Sequence, residues 1–249
     1  MARAVHLNNA PIVEAVVELQ VSLPSGTTSA TPDGVREELA AEFPRSEKLR
    51  SGTFQFQIGK ASEPPSSMAS SEDVGTRFTS EDGRRIVDFG LKAFTFHWLA
   101  PYTEWKDLRT TSQRLWDVYV RAMQPMAITR MGVRFINRLS VPSSAKDLGE
   151  YLVPGPVVPP GLPQSIQSFL SRIEIVDVAN RRLGIIVEAV EGLMEDGKNL
   201  SVLLDVDAIK TDSLLPGDTG IWEIADGLRA FKNDLFFNSV TDLLLDQYR

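Results

Sequence analysis

Three arginines at spacings of four, Arg130, Arg134 and Arg138, stand in RMGVRFINRL, a run otherwise rich in Met, Val, Phe, Ile and Leu. A guanidinium is a planar fork of donors matched to carboxylates and phosphates, so a row of them suits an acidic ligand or an acidic neighbouring strand. Two carboxylate pairs accompany them: Glu14 and Glu18 in PIVEAVVELQVSLP, and Asp205 and Asp207 in VLLDVDA. Converging on a hard cation such as Mg²⁺, these four could hold the metal while the arginines grip phosphate oxygens. Facing the arginines alone, they form an ion-pair lattice in which each exposed pair contributes about 0.2–1 kcal/mol.

The rest of the catalytic inventory is thin. His6 and His97 are the only histidines. His97, in FTFHWL, has apolar neighbours and reads as a packed strand residue rather than a base; His6 lies near the N-terminus and should see solvent. No cysteine is present, which excludes disulfides, thiolate catalysis and cysteine-held zinc or iron–sulfur clusters. No G-x-S-x-G, P-loop or H-E-x-x-H pattern occurs. No residue is therefore singled out as catalytic, no cofactor is expected, and the metal question stays open. Trp98, Tyr102, Trp105 and Trp116 read as core packing. The first three fall at a strand-to-helix corner, where they could instead rim a pocket.

Whether the arginines share a face depends on the element that carries them. Met131, Val133, Phe135, Leu139 and Val141 recur with period two, interrupted by Asn137. That is a strand, with Arg130, Arg134 and Arg138 together on its other face. In PIVEAVVELQVSLP, Ala15, Val17, Leu19 and Val21 alternate with Glu14 and Glu18 in the same way. The order continues with a helix after Pro32 and Asp33, a strand at TFQFQIG, a Ser- and Pro-rich mobile loop from Ala61 to Gly75, and a hairpin turning at Glu81-Asp82-Gly83. A helix capped by Thr103 runs to Met123.

The second half repeats that order. AITRMGVRFINRLSVP is its first strand and KDLGEYL a short helix. PGPVVPPGLP is a connector. FLSRIEIVDV, RRLGIIVEAV and NLSVLLDVDAIK are three strands, and a last helix begins at GIWEIADGLRAFKNDLFF and extends towards Leu245. VSLP and LSVP end the two first strands, and Trp105 and Trp222 open the two long helices. The expected fold class is α+β: a curved antiparallel sheet of about seven or eight strands, built from two pseudo-repeated β-α-β-β-β-α halves (approximately 11–123 and 127–245) with helices mainly on one face. Residues 1–249 are expected to form a single domain.

Over 249 residues, 43% hydrophobic and 24% charged, the composition supports a substantial core. A net charge of −7 disfavours nucleic acid, because neutralising phosphates needs a surplus of Lys and Arg. The N-terminal stretch has no uninterrupted apolar core of a signal peptide, and no run reaches the roughly 18 apolar residues of a membrane span. The expectation is a cytoplasmic protein with no membrane partner.

The chain resembles a sporadically distributed prokaryotic family of uncharacterised proteins of about this length. The resemblance rests on NAPIVEAVVEL (9–19), YTEW (102–105), RMGVRFINRL (130–139), LLDVDA (203–208) and FFNSVTD (236–242). It implies one full-length domain and supplies no catalytic residues. The leading expectation is a non-enzymatic binding or interaction protein that recognises a protein partner or a small charged ligand through the polar sheet face. One alternative is a metal-dependent phosphohydrolase of tunnel type using the Glu/Asp and Arg rows, although the alternating Glu-x-Glu-x-Lys strand of those enzymes is absent. Another is a homo-oligomer whose polar faces pair.

Overall fold

The computed structural model describes residues 5–29, 33–57, 66–145, 147–164 and 166–249. Among these residues the elements are β1 (Ile12–Ser22), α1 (Asp33–Leu39), β2 (Arg45–Gln57), β3 (Ser66–Thr79), β4 (Arg85–Gly90), β5 (Ala93–Leu99), α2 (Trp105–Met123), β6 (Ala127–Pro142), β7 (Leu170–Asp177), β8 (Arg182–Leu193), β9 (Asn199–Lys210), α3 (Ile221–Ser239) and α4 (Asp242–Leu245). The fold is α+β. The nine strands form one open sheet in the order β2-β3-β4-β5-β1-β6-β9-β8-β7. Every neighbouring pair is antiparallel.

Register fixes the two faces. Val16 lies opposite Arg134 across the β1–β6 ladder and opposite His97 across β1–β5, and Arg134 lies opposite Asp207 across β6–β9. Side chains alternate along each strand, so these positions and their i±2 neighbours share one face. The other face carries Ala15, Val17 and Leu19 of β1, Phe94 and Phe96 of β5, Val133, Phe135 and Leu139 of β6, and Val202, Leu204 and Val206 of β9, all buried. They form one hydrophobic cluster with Leu108, Leu115, Trp116 and Tyr119 of α2 and Leu228, Leu235 and Phe236 of α3. Removing these side chains from water is the main favourable term, about 1.5–3 kcal/mol for each large one before chain entropy is counted.

Two contacts show how closely the helices seat. Phe89, Phe94, Trp116 and Tyr119 pack ring against ring, and the Tyr119 hydroxyl donates to the Gly90 carbonyl at 2.8 Å. On the other flank, a Cβ at Gly184 of β8 would come within 2.5 Å of Leu235 Cδ1, so glycine there lets α3 approach the sheet.

Several expectations need correcting. The sheet has nine strands and not seven or eight, because the stretch after the Glu81-Asp82-Gly83 turn splits at Leu91-Lys92 into β4 and β5. Residues 66–75, read as part of a mobile loop, belong to β3 and pair with β2; their Ser-rich composition conceals a ladder made by backbone groups. The remainder of that loop, 61–65, lies outside the described residues. Thr103 does not cap α2: Glu104 occupies the cap position and the Thr103 hydroxyl donates instead to Asp107. KDLGEYL forms only a single 3-10 turn at Leu148–Glu150. The last helix stops at Ser239, and Thr241 caps the separate α4 by accepting the Leu244 amide.

Candidate functional site

The charged face holds all seven residues singled out in the sequence, and it assembles them into ion pairs. Arg134 donates through Nε and Nη2 to Asp205 Oδ1 and Oδ2, at 2.8 and 2.5 Å. Arg130 bridges Glu18 of β1 and Asp207 of β9, the second contact at 3.1 Å. Gly132 lies between them, where a Cβ would crowd the Arg130 guanidinium at 3.2 Å. Arg138 makes a two-pronged contact with Glu191, at 2.8 and 3.2 Å, and Ser201 donates to the same carboxylate. Glu14 does not reach an arginine; its Oε1 lies 2.7 Å from His97 Nδ1.

His97 is thus on the charged face and not among the apolar residues beside it in sequence, because alternate strand residues point to opposite sides. Its Nε2 is 3.6 Å from Asp88 Oδ2, within ion-pair range but too long for a hydrogen bond, and Asp88 takes a two-pronged contact from Arg77 at 2.8 and 2.7 Å. Burial alone would push the imidazole pKa down; the two carboxylates outweigh it and hold it up to about 9. The hydrogen bond from His97 keeps Glu14 below the usual carboxylate range. Asp207 moves the other way, raised by burial, with Oδ1 left without a partner among the described residues.

Six carboxylates (Glu14, Glu18, Asp88, Glu191, Asp205 and Asp207) therefore face four guanidiniums and one imidazolium in a nearly neutral lattice. An acidic ligand would have to displace a carboxylate already in place to reach an arginine. Among the described residues, no group of three or more His, Cys, Asp or Glu is arranged to hold a metal ion.

A second constellation lies at the aromatic corner, on a side of the sheet where no charged residue was singled out in the sequence. A cavity of about 540 Å³ opens where the N-terminal segment, the Tyr102–Lys106 corner, β6 and α3 meet. Its size is that of small-molecule sites. Phe135, Phe236 and Tyr102 give it an aromatic wall, with Tyr102 packed edge-on to Phe135 at 5.2 Å between centroids. Trp105 also lines it, and its indole N–H is tied to Asp226 of α3 at 2.7 Å.

Lys232 gives this cavity its chemistry. The residue is only 6% exposed. The Nζ sits 3.7 Å from the centroid of the Phe135 ring and donates to Asn233 Oδ1 at 2.6 Å. Among the described residues it has no carboxylate within ion-pair distance, and neither does Arg229, which lines the same cavity one helical turn earlier. Burial, reinforced by the Arg229 charge, pushes the Lys232 pKa down to about 7. Lys106 and Glu104 complete the charged lining, so positive groups predominate. Asn137, buried in β6, donates to the Phe135 and Leu204 carbonyls and forms part of the floor. A desolvated ammonium beside an exposed guanidinium can take a carboxylate or phosphate, while the aromatic wall takes its apolar part.

Of the four aromatic residues considered above, Tyr102 and Trp105 line this cavity, Trp116 is core and Trp98 packs against Phe96. Lys232 and Asn137 had one legible signal each: both are polar residues at positions where the apolar period demands a core side chain. Asn137 interrupts the period-two series of β6, and Lys232 stands on the stripe Leu228, Leu235, Phe236 of α3. In comparisons with family models and with curated proteins, nothing matches this chain. Among the described residues, no helix is long and apolar enough to cross a membrane.

Proposed function

We propose that this protein is a non-enzymatic binding protein whose cavity beside Lys232 receives a small anion carrying an apolar or aromatic body. One observation carries the reading: a buried ammonium lacking a carboxylate partner among the described residues, in a cavity of ligand size. Burying a charged amine without a counter-ion costs several kcal/mol, so an incoming anion has a large electrostatic gain available at that point. A neutral aromatic compound would fill the same volume and forgo that gain.

In this reading the ligand site lies away from the arginine row. Arg130, Arg134 and Arg138, with Glu14, Glu18, Asp205 and Asp207, act as a lattice that fixes strand register. The pairing of β1 with β6 at the middle of the sheet, each flanked outward by the strands of its own half, favours descent of the sheet from two related halves with the long helices on its apolar face. Calorimetric titration with benzoate, set against neutral benzamide, tests the proposal. Benzoate should bind and benzamide should bind far more weakly; equal affinities would remove Lys232 from the site.

A further inference from the structure

The two edges of the sheet differ in kind. At one end, β2 begins Arg45-Ser46-Glu47-Lys48-Leu49-Arg50, the charge-rich sequence with which proteins guard an open strand. At the other end, β7 carries Arg172, Glu174 and Asp177 but also exposes Leu170, Ile173, Ile175 and Val176, along a strand that among the described residues pairs on one side only. An edge strand with open N–H and C=O groups and exposed apolar side chains is a template for another strand.

The β7 backbone has a definite phase. Val190 donates its amide to the Phe169 carbonyl at 3.2 Å, in line with the β7–β8 register. Odd-numbered residues of β7 therefore spend their N–H and C=O groups on β8, and those of Leu170, Arg172, Glu174 and Val176 point to the open edge. A strand added there must pair with these even positions.

We infer that the partner is a second copy of this chain, joined antiparallel through β7 about a two-fold axis at Ile173. In that register the outward-pointing groups of Arg172 meet those of Glu174 in the other copy, and the reverse, while Leu170 meets Val176. Each exposed arginine then faces an opposite charge across the junction. Ile173 packs on its own copy on the opposite face of the sheet. Moving the axis by one residue sets Arg172 against Arg172 or Glu174 against Glu174, which is unfavourable for charges directly opposite on a ladder. The sequence of β7 is self-complementary in one register only. The interface is isologous, so it closes at a dimer and does not grow into a fibre.

Sedimentation velocity over a concentration series tests this with four proteins: wild type, Arg172→Glu, Glu174→Arg and the double swap. Arg172 and Glu174 are exposed and pair with each other along their own strand, an exposed contact worth little to stability, so these changes leave the fold intact, which circular dichroism verifies. The wild type should dimerise. Each single reversal should weaken dimerisation by about tenfold or more, since the two-fold axis doubles every like-charge contact. The double swap should restore it, and mixing the two single variants should produce a heterodimer. A wild type that stays monomeric, or dimers indifferent to these charges, would overturn the inference.

Discussion

The Nζ of Lys232 lies 3.7 Å from the centroid of the Phe135 ring, on an axis that joins α3 to the middle of β6. The ring face offers partial negative charge, a weak substitute for a carboxylate. This contact does not cancel the cost of burial, since the Lys232 pKa still falls from 10.5 to about 7. A lowered lysine pKa means that the unfolded chain binds more protons between pH 7 and 10.5, so stability rises with pH across that window. Lys232→Met should therefore stabilise the protein by a few kcal/mol at pH 6, with the gain fading towards pH 10. Urea denaturation of both proteins at several pH values checks this; a gain independent of pH would show that Lys232 is not held against its charge.

His97 should behave in the opposite sense. Its folded pKa is raised from 6.5 to about 9, so its contribution is fully present below pH 6.5 and is lost as pH rises through 9. His97→Gln should lower stability at pH 6 and change it little at pH 10. The chain has only two histidines, so proton NMR can follow each imidazole separately. The His97 resonance should titrate near pH 9, well above an unperturbed imidazole.

Arg134 and Asp205 form a two-pronged pair on the charged face, but with unequal exposure: the Arg134 side chain is 47% exposed and that of Asp205 only 10%. Arg134→Met removes a half-exposed group and leaves a buried carboxylate unpaired. It should destabilise by about 1–3 kcal/mol, beyond what an exposed ion pair would give. Adding Asp205→Asn should recover much of that loss, because the amide carries no uncompensated charge. Thermal melts of the single and double variants decide, and benzoate binding should be unchanged in both.

Much of the fold was legible because period two is hard to imitate. The bounds of β6 and the sharing of one face by Arg130, Arg134 and Arg138 follow from alternation alone. Pairing partners are a long-range property and could not be read off spacing. That Arg138 meets Glu191, and Glu14 meets His97, depends on which strands become neighbours and on where the ladders slip, as at Val190/Gly192. The Lys232 cavity was hidden for a related reason. Its walls come from four distant parts of the chain, and the local traces are the aromatic corner at Tyr102 and Trp105 and two single polar residues, Asn137 and Lys232, inside apolar stripes.

Glu188 of β8 offers a further check, since it stands on the apolar face beside Ile173, Ile175 and Leu235 in a cavity of about 320 Å³. Burial pushes its pKa up to about 7. The folded protein then binds more protons than the unfolded chain between pH 4.5 and 7, so stability falls as pH rises across that range. Glu188→Gln should be stabilising at pH 8 and nearly silent at pH 4, as read from denaturant midpoints.

Proton uptake on ligand binding tests the central claim most directly. At pH 8 the Lys232 amine is mostly neutral in the free protein, and an anion seated against it should draw the proton back. Benzoate does not titrate near this pH, so calorimetry in buffers of different ionisation enthalpy isolates the protein's own proton. The account predicts uptake approaching one proton per benzoate bound in the wild type, with both uptake and affinity lost in Lys232→Met. Binding without uptake, or undiminished binding to Lys232→Met, would contradict it.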